Sequence, residues 1–199
     1  LLIFILLLSC DIFTEQEKKA IVRIVSDEYP YIQSALDETL SGDTILVKPG
    51  VYVENIKCLT QKNVVLLSTD GPDSTIIIGN YDSNTDYTID ITFGNFIIEG
   101  FTIKGNAVSA IRCYDTDSLS LINLNITESG GNESRLMYLV SESIYISNIN
   151  IFNNVSVDIH GNIIGATYIA LRVGGESSSG IYENIYVHDN PGGSLFIGG

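Results

Sequence analysis

The sequence predicts an all-β fold, a parallel β-helix or solenoid with a short N-terminal capping α-helix. Three observations predict it: apolar and polar residues alternate over most of the chain, a strand-and-turn segment recurs at a nearly constant spacing, and only one segment has helical periodicity. Ile, Asn and Gly are abundant, Trp is absent and Pro is rare. This composition is typical of a strand-rich chain with many tight turns.

Four segments align without gaps and carry the repeat. They are NFIIEGFTIKGN from Asn95, SLSLINLNITES from Ser118, SIYISNINIFNN from Ser143 and SGIYENIYVHDN from Ser179. The apolar alternation slips by one position at the same place in each segment, at Gly100, Asn123, Asn148 and Asn184. Such a slip would turn every side chain to the other face of a strand unless the chain bends there. Gly and Asn readily adopt the left-handed conformation of a tight bend, so we expect these four residues to form one corner file.

The spacing of the corner residues favours a solenoid. The steps are 23 residues from Gly100 to Asn123, 25 to Asn148 and 36 to Asn184, and we assign the extra length of the last step to an insertion at 158–166. The alternative is an antiparallel sandwich with Asn in its turns. A hairpin would reverse the chain, whereas these corners lie between two short strands at a near-constant period.

The segment EYPYIQSALDETLSGD, at 28–43, predicts the capping helix. Pro30 suits a first helical turn and Gly42 a helix end. One helical face is apolar and consists of Ile32, Ala35, Leu36 and Leu40. Such a helix would close the apolar interior that a solenoid exposes at its end. We expect 44–48 and 51–56 to form the first turn of the coil around a Pro49 and Gly50 corner, and 62–80 to form the second.

The stretch IQSALDETLSGDTILVKPGVYVENI, followed by NVVLLSTDGPDSTIIIGN, resembles the N-terminal part of the pectin-lyase-like proteins. These are single-stranded right-handed parallel β-helix proteins, and pectinesterases and many surface β-helix repeat proteins share this opening. The resemblance runs from about Tyr31 to the end of the chain. It implies the fold but no particular chemistry, because the catalytic residues of this group come from later coils.

The chain opens with eight apolar residues at 1–8, followed by Ser9 and Cys10. The run fits the apolar region of a signal peptide and is shorter than the roughly 18 residues of a membrane span; a buried core strand is the alternative. LLSC resembles a bacterial lipobox, which implies lipidation of Cys10. We expect a signal peptide at 1–10, a linker at 11–27 and a parallel β-helix at 28–199 that is a fragment truncated at its C-terminal end, in an extracytoplasmic lipoprotein anchored to a membrane by its lipid alone.

The charge balance and the cysteines limit the classes of partner. Ten basic against 24 acidic side chains give a net charge of -14 with no basic run, so we expect no nucleic-acid partner. The same charge would repel an acidic glycan unless a cation such as calcium bridged the two. Cys58 and Cys113 lie far apart without a CxxC motif, which predicts buried free thiols, with a disulfide as the alternative.

Candidates for polysaccharide chemistry are sparse. Neither the paired aspartates and arginine of pectinesterases nor the Gly-His-Gly of polygalacturonases is present. The weak catalytic candidates are His160 in DIHGN, Arg112 in AIRC and Arg172 in ALRV; the arginines should point outward, as the base of a lyase does. A loop histidine and ordinary surface arginines are the alternatives. Weak calcium candidates are Asp82, Asp86, Asp115 and Asp117, for which solvated turns are the alternative.

The outward positions after the later corners carry aromatic residues beside amides. Phe152, Tyr186 and His188 are the ligand-binding candidates, because exposed aromatic rings beside Asn side chains on a flat parallel face suit stacking against sugar rings. The sequence therefore favours a non-catalytic module that binds glycan or other surface components, or acts as a scaffold or adhesin. The alternative is a polysaccharide-active enzyme, a lyase or an esterase, whose catalytic coils are weak or lie beyond this sequence.

Overall fold

A computed structural model describes residues 19–80, 87–105, 109–130, 135–157, 163–165, 168–172, 179–190 and 194–198. The elements, in chain order, are β1 (Val22–Val25), α1 (Ile32–Glu38), β2 (Thr44–Val47), β3 (Gly50–Val53), β4 (Ile56–Cys58), β5 (Asn63–Ser68), β6 (Thr75–Ile78), β7 (Tyr87–Thr92), β8 (Asn95–Glu99), β9 (Thr102–Lys104), β10 (Ser109–Thr127), β11 (Arg135–Phe152), β12 (Ser156–Val157), β13 (Ile163–Gly165), β14 (Tyr168–Arg172), β15 (Ser179–His188) and β16 (Ser194–Gly198).

The strands stack in parallel into three sheets that share one coil. The first sheet holds β1, β2, β5 and β8 and continues in 118–122, 143–147 and 179–183. The second holds β3, β6 and β9, then 125–127, 150–152 and 186–188. The third holds β4, β7, 111–113, 137–139, β14 and β16. Because all these pairings are parallel, the predicted solenoid is confirmed, with about five turns, and the antiparallel sandwich is excluded.

The predicted corner file is confirmed. Gly100 has φ 85, and φ is 51 at Asn123, 56 at Asn148 and 52 at Asn184, so all four lie in the left-handed region. Their strand neighbours are paired coil to coil, which stacks the corners above one another. In the last pair the Asn184 Nδ2 donates to the Asn148 Oδ1 at 3.0 Å. Each corner lets the apolar alternation change phase while the apolar side chains on either side of it, such as Leu121 and Leu124 around Asn123, stay inside.

The interior of the coil is a continuous apolar core. Phe101 and Ile103, which follow the Gly100 corner, are fully buried, as are Ile45 and Ile77 of the first coils. Cys58 and Cys113 are buried free thiols, as predicted. Burial, with a smaller effect of the nearby Asp90 carboxylate, raises the pKa of the Cys113 thiol far above its ordinary value. Both cysteines therefore serve as small apolar core residues.

A second polar file lies six residues after the corner file, and the sequence analysis missed it. The Oδ1 of the fully buried Asn154 accepts from the Ser129 N–H at 3.0 Å, and its Nδ2 donates to the Ile126 carbonyl at 2.9 Å. Asn190 accepts from the Asn154 N–H at 2.9 Å and donates to the Ile151 carbonyl at 2.9 Å. The preceding residues are left-handed, with φ 49 at Glu128, 54 at Asn153 and 52 at Asp189. These bonds satisfy buried backbone groups where the second sheet ends.

The helix α1 closes the N-terminal end of the core. The carboxylate of Glu54, which follows β3, accepts from the N–H groups of Ile32 at 2.9 Å and Gln33 at 2.8 Å. At the other end of α1 the Lys62 ammonium donates to the Leu36 carbonyl at 2.8 Å. These contacts supply partners for both helix ends, which otherwise leave backbone groups unpaired.

Two details of the predicted N-terminal region are wrong. The helix ends at Glu38, because the Thr39 hydroxyl bonds to the Ala35 carbonyl and the chain becomes extended there; Leu40 lies outside the helix and is 42% exposed. The predicted strand 51–56 is two strands, since β3 ends at Val53 and Ile56 begins β4. Each coil therefore has three strands rather than two.

The strand β1 lies within 11–27, the segment expected to be a linker, and pairs with β2, so the solenoid includes Val22–Val25. The buried carboxylate of Asp43 holds this strand. It pairs with the Arg23 guanidinium and accepts from the N–H groups of Ile21 at 2.8 Å and Leu40 at 3.0 Å. Burial pushes the pKa of Asp43 up, but these three donors outweigh it and lower the pKa below its ordinary value.

The long step before Asn184 contains the insertion that the spacing predicted. The strands β12 and β13 pair in an antiparallel ladder, so these two strands depart from the parallel coil. Residues 158–162 and 166 of the predicted insertion lie outside the described residues.

Candidate functional site

The outer face of the second sheet holds the predicted aromatic residues. Pairing of β11 with β15 sets Asn150 opposite Tyr186 and Phe152 opposite His188. Tyr186 is 62% exposed, which is the highest exposure among the large apolar side chains of the described residues. We call Asn150, Phe152, Tyr186 and His188 the aromatic face.

Contacts within the aromatic face fix the histidine. The rings of Phe152 and His188 stack with centroids 5.5 Å apart and an angle of 3° between their planes. The His188 Nε2 lies 3.0 Å from the Asn150 Oδ1, and its Nδ1 lies 2.8 Å from a carboxylate oxygen of Asp189. The imidazole therefore has a partner on each nitrogen and a ring below it. The Tyr186 ring remains open to solvent beside this rigid pair, an arrangement that suits stacking of a planar or sugar ring.

The outer face of the third sheet presents Arg112, as predicted. Its guanidinium makes two hydrogen bonds to the Asp90 carboxylate, Nε to Oδ1 at 2.7 Å and one terminal nitrogen to Oδ2 at 2.6 Å. It also lies over the Tyr87 ring, 5.2 Å from the centroid. The Asp90 side chain is only 8% exposed. A guanidinium held by a buried carboxylate stays protonated, which argues against Arg112 as a proton acceptor.

Sequence reasoning missed two parts of this third-sheet face. Asp90 lies in YTIDIT, where strand alternation places it on the outward side, one coil before Arg112. Tyr114 and Tyr138 belong to successive coils, and their rings stack with centroids 6.2 Å apart. The alternation was a usable signal for all three residues, but their meeting depends on the register between coils.

The other weak catalytic candidates are not brought together by the described structure. Arg172 is the last residue of β14 and lies opposite Gly198 of β16. His160, together with Cys10 and the acidic residues Asp82 and Asp86, lies outside the described residues. Their predicted roles stay predictions.

The acidic pair Asp115 and Asp117 lies at the corner between the third and first sheets. Both residues are exposed, and Asp115 is left-handed with φ 52. Within the described residues no group of three or more His, Cys, Asp or Glu side chains is placed to hold a metal ion. The calcium site stays a prediction.

A groove of about 220 Å³ lies on the outer face of the first sheet. Its polar side consists of Asn63, Asn95 and Ser118, which bond to one another: the Asn95 Nδ2 donates to the Asn63 Oδ1 at 2.7 Å, and the Ser118 hydroxyl donates to the Asn95 Oδ1 at 2.8 Å. Val65 and Ile97 supply apolar lining. The mutual bonds make these amides a third ladder that ties coils together.

Comparison of the chain with protein families, with curated proteins and with solved structures found no match. In the described part of the chain, no helix has the length and apolar character that a bilayer crossing requires.

Proposed function

We propose that the chain is an extracytoplasmic, lipid-anchored β-helix module that binds glycan through the aromatic face. The observation that carries the proposal is the 62% exposed Tyr186 next to the stacked Phe152 and His188. The stack removes rotational freedom from two of the three rings before any ligand arrives, which lowers the entropic cost of binding. The Asn150 side chain adds an amide group on the same outer face of the second sheet.

The charge of the protein favours a neutral glycan. With a net charge of -14, the protein repels a polyanion at long range, and only a bridging cation such as calcium would reverse that. The aromatic face itself contributes stacking surfaces, an amide and an imidazole, which match the hydroxyl groups and apolar ring faces of a neutral sugar.

The anchor is a separate part of the proposal. It is supported by the LLSC resemblance and by the apolar run before it. Mass spectrometry of the protein from a bacterial host should show a diacylglyceryl group on Cys10, and a Cys10→Ser variant should leave the membrane fraction. Equal membrane association of both forms would count against the anchor.

Glycan binding is tested with an array of neutral and acidic glycans. The Tyr186→Ala and His188→Ala variants should both bind the same glycan more weakly than the wild type. The affinity should fall roughly two- to tenfold, as expected for the loss of one stacking ring. Tyr31→Ala is a matched control, because Tyr31 is 56% exposed and lies at the opposite end of the coil. Binding that Tyr186→Ala leaves intact, or no binding on the array, contradicts the proposal.

The enzyme alternative has a test of its own. Arg112 and Arg172 both belong to the third sheet, where a lyase would need an outward base, but Arg112 is occupied by Asp90. Polygalacturonate with calcium is therefore expected to give no unsaturated product, followed by its ultraviolet absorbance. A rise above the blank that Arg112→Lys abolishes would establish the lyase in place of the binding module.

A further inference from the structure

The three sheets end at three edge strands on the N-terminal side, and contacts within the chain occupy the outward backbone groups of Ile24 in the first sheet and of Lys57 in the third sheet. In β1 the N–H of Ile24 donates to a Glu28 carboxylate oxygen at 3.3 Å, and its carbonyl accepts from the Glu28 N–H at 2.9 Å. In β4 the side-chain amide of Gln33 accepts from the Lys57 N–H at 2.7 Å and donates to its carbonyl at 3.0 Å. Both contacts occupy the backbone groups that would otherwise recruit another strand.

The third edge, β3 of the second sheet, is open. The N–H groups of Gly50 and Glu54 donate to β6 and its flank, to the carbonyls of Ser74 at 2.9 Å and Ile78 at 3.0 Å. Backbone groups of a strand alternate in direction, so those of Val51 and Val53 point away from β6. In the part of the chain that the structure describes, no residue bonds to them. Val51 is 60% exposed and Val53 is 58% exposed.

The open edge is complementary to a second copy of itself. We propose that two copies of the chain pair through β3, antiparallel, about a two-fold axis that passes at Tyr52. In that register Val51 of each copy lies opposite Val53 of the other copy, which gives two equivalent pairs. Both are residues whose N–H and C=O face the open edge, so each of the two pairs is a doubly hydrogen-bonded pair of an antiparallel ladder. The ladder has four main-chain bonds.

The side chains around this edge favour a second copy as the occupant. The outward positions of β3 and β6 are Val51, Val53, Ile76 and Ile78, so two copies of the strand would bring together only aliphatic side chains. Like charges do not meet there, although each chain carries -14. The next edge-facing residue before Val51 is Pro49, which has no N–H to donate. The ladder between the two copies therefore ends there, and its bonds are confined to Val51 and Val53 of each copy.

The small interface predicts a weak dimer that strengthens with salt. With only four main-chain bonds and a few aliphatic contacts, we expect a dissociation constant of roughly 10 µM to 1 mM. The two acidic chains repel each other less as the Debye length shortens. Sedimentation velocity of the full chain over that concentration range should show a monomer–dimer equilibrium that shifts toward dimer when salt is raised.

The decisive variant is Val53→Pro, which removes an edge-facing N–H and leaves the bonds to β6 in place. It should weaken the dimer at least tenfold with the circular dichroism spectrum unchanged. Val53→Thr, which keeps the donor and the strand preference, should dimerise like the wild type. Should the proline variant fold poorly, Val51→Glu supplies the test, with Leu59→Glu as its control, since Leu59 is 56% exposed and lies just after β4, outside the second sheet.

Cross-linking tests the register. In a Cys10→Ser background, Val51→Cys and Val53→Cys chains mixed together should form a disulfide between unlike chains faster than either variant alone, because only the 51 to 53 pairs lie directly opposite. A wild type that is monomeric at all concentrations overturns the proposal. So does association that Val53→Pro and Val51→Glu leave unchanged, which would place the contact at another surface such as the far end of the coil.

Discussion

The N-terminal cap and the later coils supply partners for their backbone groups in different ways. The cap, formed by β1, α1 and the turn at 39–43, uses single contacts made once: Asp43 with Arg23, Glu54 on the helix N-terminus and Gln33 on β4. The coils from β8 onward use the same residue types at the same position in each turn. When one repeated contact is removed, the equivalent contacts in neighbouring coils still hold the stack together. A contact that is made only once has no equivalent elsewhere. The cap is therefore where single substitutions should cost most.

The outer faces of the two regions also differ. On the second sheet the first two coils present aliphatic side chains at Val51, Val53, Ile76 and Ile78, and the last two present the aromatic face. Aliphatic side chains next to an open edge suit association with another strand, whereas rigid rings beside amides suit a ligand with hydroxyl groups. Under the two proposals, one sheet would carry the self-association edge at one end and the glycan-binding face at the other.

The largest effect is expected at Asp43, the centre of the cap. Asp43→Asn removes the charge that pairs with Arg23 and replaces one oxygen acceptor by a donor. Breaking a buried pair by removing one partner leaves an uncompensated charge, so the free energy of unfolding should fall by about 3 kcal/mol. Urea unfolding followed by circular dichroism measures the change.

The control for this substitution is Asp73→Asn, because Asp73 is an exposed acidic residue of the loop before β6. It should change the free energy of unfolding by less than about 0.5 kcal/mol. Equal losses in the two variants would mean that net charge, rather than the buried contact, holds the cap.

A corner between the two regions should show the next largest effect. Gly94 has φ 82, and a Cβ there would collide with the carbonyl oxygen of Lys62 and lie 2.8 Å from its nitrogen. Gly94→Ala should therefore cost about 2–3 kcal/mol of unfolding free energy. Gly42 has φ 96, and no atom lies within 4 Å of an added Cβ, so Gly42→Ala measures the cost of the left-handed backbone conformation without a collision. That cost should be about 1 kcal/mol of unfolding free energy. A smaller loss at Gly94 than at Gly42 would show that the coils separate readily.

In the later coils the buried amide file should matter more than the exposed corner file. Asn154→Ala leaves the Ser129 N–H and the Ile126 carbonyl buried without a partner, which should cost about 2 kcal/mol. Asn148→Gly keeps the left-handed corner and loses only an exposed bond to Asn184, so its cost should stay below about 0.5 kcal/mol. Thermal or urea unfolding of both variants provides the comparison, and the reverse order of losses would contradict it.

The corners that repeat were predictable from sequence, whereas the third strand of each coil and several contacts made once were not. A left-handed corner at Asn123 or Asn148 leaves a phase shift in the apolar alternation, which is a local signal that recurs. The extra corner before Ile56 leaves no such signal, because the buried positions Tyr52, Glu54 and Ile56 keep one uninterrupted alternation through it. The salt bridge between Arg23 and Asp43 joins residues 20 positions apart that no local pattern connects.

The candidate site shows the same division. Exposure of Tyr186 and the outward direction of Arg112 follow from strand alternation, and both were predicted. The stacking of His188 on Phe152 and the pairing of Arg112 with Asp90 depend on the exact register between coils. The insertion before Asn184 changes the spacing from one coil to the next, so sequence distance alone does not give that register.

The smallest predicted effect is a pH dependence within the cap, where two carboxyl groups act in opposite directions. Burial raises the pKa of Glu54 above its ordinary value of about 4.5, although the Gln33 and Ile32 N–H groups offset part of the increase. Because the folded protein binds the Glu54 proton more tightly than the unfolded chain does, protonated Glu54 stabilises the fold. This contribution is complete at pH values below the ordinary pKa and is lost as the pH rises through the folded-state pKa. Asp43, with a lowered pKa, contributes above its ordinary value and loses its contribution as the pH falls.

The two contributions separate in a pH series. Urea unfolding of the wild type and of Glu54→Gln is measured in steps from about pH 4.5, the ordinary pKa of a Glu carboxyl, upward, which is the direction in which the pKa of Glu54 is raised. The wild type should lose stability relative to the variant as the pH rises, whatever the constant difference between them, because Gln does not titrate. Asp73→Asn should run parallel to the wild type over the same range. If the stability difference between Glu54→Gln and the wild type is the same at every pH, Glu54 titrates in the folded cap as it does in the unfolded chain. The cap would then differ from the later coils only in its buried ion pair.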